Sequence, residues 1–126
     1  MNPVQSLSTT ANRFASSGTF DGAELRLSLV GEAGLQAAEA VARMLTHLHA
    51  EATNLCVQRV VVDFTELEFM SSACLKRFVA WIGHVRDLEP AAQYRIHLVA
   101  SDTTPWQRRS MNALRCVAVR LVTLEG

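Results

Sequence analysis

The chain has little that would bind or anchor it by brute chemistry. Its three cysteines, Cys56, Cys74 and Cys116, lie far apart and share no CxxC or Cys/His spacing. That excludes a disulfide framework and a structural zinc site, so no metal is expected. An odd cysteine count fits a reducing, cytoplasmic setting in which cysteine behaves as a small hydrophobe. Net charge is absent as well: 12 basic residues balance 12 acidic ones. A domain that holds nucleic acid through its phosphates is usually basic, so nucleic acid is not an expected partner. No apolar run approaches the roughly 20 residues that cross a bilayer, and no basic-then-apolar start marks a targeting segment. GxGxxG, GxxxxGK[ST] and HExxH are missing too, so no nucleotide cofactor or zincin chemistry is expected.

What remains suits one folded domain. The chain has 126 residues, 49% of them hydrophobic and 19% charged, a composition that can build a core. Residues 1–12 are Ser/Thr-rich and aperiodic and are expected to form a loose leader before a single domain over 13–126. Asp21-Gly22 is a two-residue hairpin signal after a short strand over 13–20. Leu25, Leu27 and Leu29 then alternate with Glu24, Arg26 and Ser28, which predicts a strand with one buried face. Ala38, Val41, Leu45, Leu48 and Ala52 form a helical stripe within a predicted helix over 35–53. Val60-Val61-Val62 lacks alternation and predicts a strand covered on both faces, ending near Phe64, with an acidic loop over 65–70.

A second helix is predicted from Ser71-Ser72 to about Glu89, closed by Pro90. Leu75, Phe78, Ile82 and Val85 form its stripe. A strand over 94–100 follows. Thr104-Pro105 then marks the start of a third helix running to about Leu114, and residues 117–124 make a last strand. The order β-β-α-β-α-β-α-β predicts an α/β sandwich with a mixed sheet.

Catalytic candidates are sparse. His47, His49, His84 and His97 fall in no recognised metal-ligand motif, and His47 and His49, at i and i+2, do not share a helix face. Cys74 sits near a helix N-terminus, where the dipole lowers a thiol pKa. Ser72 sits on a strand-turn-helix bend, but Met70 and Cys74 stand where a GxSxG elbow needs glycines. A small hydrolase or thiol enzyme at Ser72 or Cys74 is therefore the weaker alternative. Trp106 to Met111 offers either a packed tryptophan beside a solvated basic face, or a contact surface.

One stretch carries more. Residues 60–75 read Val-Val-Val-Asp-Phe-Thr-Glu-Leu-Glu-Phe-Met-Ser-Ser-Ala-Cys-Leu. This resembles the signature of STAS domains, most of all their bacterial anti-sigma factor antagonist branch. That family has a buried strand ending in Asp, a hydrophobic pair, then Asp-Ser-Ser/Thr-Gly-Leu-Gly at a helix start. Asp63 matches the strand-end Asp, Phe69-Met70 the pair, Ser72 the phosphorylatable serine and Leu75 the leucine. Ser71 replaces the family's Asp, Ala73 its second hydroxyl residue, Cys74 its glycine and Lys76 the next glycine. The resemblance implies a STAS-like sandwich of about four to five strands and three helices, without the family's last helix since the chain stops at Gly126.

It also implies a non-enzymatic, cofactor-free signalling module. Its partners would be a serine kinase/anti-sigma factor with a histidine-kinase-like ATP-binding fold, and a phosphatase. Partner contacts are expected at Asp63, Glu66, Glu68, Phe69, Met70, Ala73, Cys74, Lys76 and Arg77. Phosphorylation is expected at Ser72 or Ser71. A phosphate there adds about −1.5 to −2 charges to a docking surface that the helix N-terminus itself tolerates. An interaction module that uses Ser71-Ser72 only as a helix cap is the alternative. The charges suit docking: Asp63, Glu66 and Glu68 precede the motif, the single lysine Lys76 follows it, and Arg95, Arg108, Arg109, Arg115 and Arg120 crowd the C-terminal part.

Overall fold

A computed structural model describes residues 2–126. Two short strands, β1 (Asn2–Pro3) and β2 (Thr9–Ala11), precede β3 (Phe14–Phe20) and β4 (Glu24–Ala33). Then come α1 (Ala38–Asn54), β5 (Arg59–Met70), α2 (Ser72–Arg86), β6 (Arg95–Val99), α3 (Pro105–Val117) and β7 (Val122–Glu125). From β3 onward the expected element order and mixed sheet are present. The sheet runs β3-β4-β5-β6-β7, with β1 and β2 both paired to β3. The count rises from the four or five strands expected to seven because the N-terminal segment joins.

β3 and β4 are antiparallel, and β4 to β7 are parallel neighbours in chain order. The β3–β4 turn sits one residue later than the Asp-Gly pair suggests. Asp21 accepts the backbone N–H of Ala23 and Glu24 at 3.0 and 2.8 Å, and Gly22 takes a positive φ of 102°. Each parallel pair is linked by a helical crossover. Right-handed crossovers between strands that advance in one direction place all three helices on one face. Leu25, Leu27 and Leu29 of β4 point into that face, with Val60, Val62 and Phe64 of β5 and Ile96 and Leu98 of β6. The helices answer with Val41, Met44 and Leu48, with Phe78, Ile82 and Val85, and with Met111 and Leu114. Each such aliphatic side chain contributes about 1.5–3 kcal/mol by leaving water.

The other face of the sheet carries no helix, which corrects the expectation drawn from Val60-Val61-Val62. Val61 is nevertheless 1% exposed. It lies in a cross-strand row between Arg26 and His97, whose longer side chains flank it.

Residues 2–12 are not a loose leader; Met1 lies outside the described residues. Val4 donates its N–H to the Gly18 carbonyl at 2.9 Å, and the buried Ser16 hydroxyl donates to the Leu7 carbonyl at 2.8 Å. Leu7 is 0% exposed, seated against Gly18, where a β-carbon would collide with it. A single leucine at a chain turn has no period to announce its burial. The segment also covers the outer edge of β3, an edge otherwise open to foreign strands. At the other end α3 runs past Leu114 to Val117. There the Arg86 guanidinium donates to the Val117 carbonyl at 3.0 Å and satisfies the helix end, so β7 begins only at Val122.

Candidate functional site

The expected acidic loop over 65–70 is strand. β5 pairs with β6 only as far as Asp63, opposite Val99, and then continues beyond β6 to Met70. Its other edge stays on β4, with Glu66 opposite Val30, Phe69 opposite Glu32 and Met70 opposite Ala33. Two register shifts accompany this, between Ser28 and Val30 and between Gly31 and Glu32, and at each β5 carries one residue more than β4. At the second, Gly31 has a φ of 95°, and a β-carbon there would strike the Arg13 carbonyl. Only glycine fits that bend.

Beyond Asp63 the β6 side of β5 has lost its strand partner, and α3 supplies side chains in its place. Gln107 is 0% exposed. Its amide nitrogen donates to the Phe64 and Leu67 carbonyls at 2.7 and 2.8 Å, while its amide oxygen accepts the Ser101 N–H at 2.7 Å. The neighbouring Trp106 indole N–H donates to the Glu68 carbonyl at 2.9 Å. These two residues brace the extension. Trp106 is a packed, half-buried tryptophan, while Arg108 and Arg109 are exposed. The sequence reading missed the role of Gln107. A signal existed: Gln107, Met111 and Leu114 are spaced 4 and 3, so a polar residue stands on the apolar stripe of α3.

Asp63 is held from two sides. One oxygen accepts the Thr65 hydroxyl and N–H at 2.6 and 2.9 Å, the other the Arg26 guanidinium at 3.0 Å. Burial pushes its pKa up, but the bonds from Thr65 and the charge of Arg26 outweigh this, so the carboxyl titrates below its ordinary value. Asp63 therefore fixes the point where β5 parts from β6 and points onto the helix-free face. It does not join the surface formed by Phe69 to Arg77.

At the end of β5 the Ser71 N–H donates to the Ala33 carbonyl at 2.8 Å, and the chain turns into α2. Ser71 is the N-cap: its backbone is extended and its hydroxyl accepts the Cys74 N–H at 3.3 Å. Ser72 is the first helical residue and is exposed, with no side-chain hydrogen bond among the described residues. Neither an imidazole nor a carboxylate is engaged with it, so no nucleophile–base pair is assembled at this bend. Cys74 is 0% exposed, and its thiol donates to the Gly34 carbonyl at 3.3 Å. That corrects its place among the contact residues: Cys74 packs α2 against the segment after β4 and presents no exposed surface.

The other expected residues gather at the C-terminal end of the parallel strands, where α/β folds commonly place their sites. Phe69 is 49% exposed and is the one aromatic among the large exposed hydrophobics of the described residues. It borders a depression of about 380 Å³ with Arg13, Glu32 and Gln36. Met70 is half-buried against the core. Ser72, Ala73, Lys76 and Arg77 line a second depression of about 290 Å³ along α2. Glu66 and Glu68 are exposed on the extended β5. The structure thus brings Phe69, Met70, Ser72, Ala73, Lys76 and Arg77 to one end of the molecule, with the two glutamates along the adjoining strand.

No family model matches the chain, and no curated protein matches it. Solved structures do. The crystal structure of an anti-sigma factor antagonist from Mycobacterium paratuberculosis superimposes with a TM-score of 0.64 over 89% of this chain and 85% of that one, at 17% identity. Among the described residues no helix is long and apolar enough to cross a membrane. At that identity the likeness speaks for architecture, and the chain has the mixed α/β, STAS-like fold of an anti-sigma factor antagonist.

Proposed function

We propose that this chain is a non-catalytic regulatory module that docks a protein partner through Phe69, Met70 and the first turns of α2, switched by phosphorylation of Ser72. The observation that carries the reading is the division of labour between the two serines. Ser71 uses its hydroxyl to cap α2, whereas the Ser72 hydroxyl is exposed and, among the described residues, unengaged, between a half-exposed phenylalanine and the cations Lys76 and Arg77. A phosphate at the first helical position meets the positive end of the helix dipole, so the fold tolerates it. A partner that buries the same spot has to desolvate a dianion, which costs several kcal/mol.

The likeness to an anti-sigma factor antagonist supports a partner of the corresponding kind. That partner is a serine kinase/anti-sigma factor with a histidine-kinase-like ATP-binding fold, opposed by a phosphatase. The ATP belongs to the partner.

The test uses a purified kinase of that class from the same genome. With ATP, phosphate is expected on Ser72 by peptide mass spectrometry. Ser72→Asp is expected to weaken binding and Ser72→Ala to leave it intact. Phosphate on neither serine, with equal affinity for the wild type and both variants, refutes the switch and leaves a constitutive interaction module.

A further inference from the structure

A groove of about 330 Å³ lies between α1 and α2, on the side of the helices away from the sheet core. Its walls are two matching stripes. One presents Leu45, Thr46 and His49 from α1, the other Arg77, Trp81 and His84 from α2. Ala42 and Ala80 complete the stripes and leave room between them. In both helices these positions run over eight residues of one face, seven steps of 1.5 Å, so the groove is about 10 Å long.

The floor is apolar: Leu45 and Trp81 are 3% and 5% exposed. The polar groups around it are donors. The Trp81 indole N–H donates to the Tyr94 hydroxyl oxygen at 2.9 Å, and the same hydroxyl lies 2.8 Å from His49 Nδ1. An indole N–H can only donate, so the Tyr94 oxygen accepts from Trp81 and its own proton is available to His49 Nδ1; in that tautomer the imidazole proton sits on Nε2. Burial, and next the neighbouring His84, push the His49 pKa down, which agrees with a neutral ring. The His49 and His84 rings meet edge to face at 4.9 Å. Among the described residues the guanidinium of Arg77, the ring nitrogens of His84 and Nε2 of His49 have no hydrogen-bond partner, and no carboxylate lines the groove. Fewer than three metal-ligating side chains meet here, so the pair of imidazoles is not a metal site. Volume and length suit a ring-sized molecule and fall short of a docked helix.

We propose that this groove binds a small organic anion with an aromatic body: its carboxylate pairs with Arg77, its ring lies against Trp81 and Leu45, and His49 and His84 donate to a polar group at the far end. The groove shares Arg77 and Ala80 with the depression along α2, and its other lining residues lie outside the docking surface proposed above.

The experiment titrates the 15N-labelled full chain with 1-naphthoate, and with 1-naphthamide as its uncharged counterpart. Two indole N–H signals serve as probe and reference, because Trp81 lies in the groove wall and Trp106 is bonded to Glu68. Saturable shifts are expected at the Trp81 indole and at the amides of 42–49 and 77–84, with Trp106 unmoved. A ligand of this size is expected to bind with a Kd of about 1 mM. The amide is expected to bind about tenfold more weakly, as is naphthoate to Arg77→Gln. Ala80→Leu, an exposed substitution that fills the groove, is expected to abolish the shifts while circular dichroism stays unchanged. Equal binding of acid and amide, shifts centred outside the groove, or no saturable shift overturns the proposal. So does binding of an acidic amphipathic peptide at the groove without binding of naphthoate.

Discussion

Replacing Gln107 by leucine tests how the docking strand is held. The side chain keeps nearly the same volume, and three hydrogen bonds disappear together. The Phe64 and Leu67 carbonyls, in the core, and the N–H of half-buried Ser101 lose their partner. A buried polar group left unpaired costs about 1–3 kcal/mol. Partial access of water to Ser101 brings the expected total to about 3–5 kcal/mol. A domain of this size is stable by about 5–15 kcal/mol, so the loss is a large fraction of the whole. At about 4 °C per kcal/mol the melting temperature should fall by about 12–20 °C. Urea unfolding followed by circular dichroism measures the difference directly. Gln107→Glu separates hydrogen bonding from packing. Its carboxylate can still accept from Ser101 but faces two carbonyl oxygens, so at neutral pH it should be at least as unstable as the leucine variant. Only its protonated form can donate. Its pKa in the folded state is therefore raised, and the stability is present at low pH and lost as pH rises through that value. A leucine variant within about 1 kcal/mol of wild type, or a glutamate variant with no pH-dependent recovery, would refute the idea that Gln107 braces β5.

Three further outcomes are expected. Ser71→Ala removes the α2 cap and should cost about 1 kcal/mol in chemical denaturation, whereas Ser71→Asp, which can accept the same Cys74 N–H, should cost little. Leu7→Ala should destabilise by about 2–5 kcal/mol, as for a core leucine, and an effect below about 0.5 kcal/mol would show that residues 2–12 do not belong to the core. Asp63 titrates below its ordinary value, so its contribution is present above the unfolded carboxyl pKa and lost as pH falls through the folded one. Asp63→Asn should therefore lower stability at neutral pH and flatten the acid limb of the stability profile, and an unchanged limb would contradict the Arg26 and Thr65 contacts.

Much of the architecture is local physics that the sequence states by itself. The alternation of Leu25, Leu27 and Leu29, the helical stripe from Ala38 to Ala52, the Thr104-Pro105 start and the Ser71-Ser72 helix entry each depend on residues within a few positions. Periods of 2 and 3.6 then give the order of strands and helices, and handed crossovers give the single helical layer. Other features depend on where distant segments meet, and no local period encodes that. Residues 64–70 are strand because β4 pairs with them and the Gln107 amide of α3 donates to their carbonyls, 40 or more positions away at the Gln107 bonds. Asp63 is claimed by Arg26, 37 positions earlier in the chain. Residues 2–12 join the sheet because one leucine finds the space that Gly18 leaves. Cys74 and Ser72 look equally placed as letters at a helix start, yet one faces Gly34 and the other solvent. Composition and periodicity determined that this chain would fold as a layered α/β domain. Tertiary packing alone decided which residues of its motif are left at the surface, because exposure follows from what each side chain meets rather than from what it is.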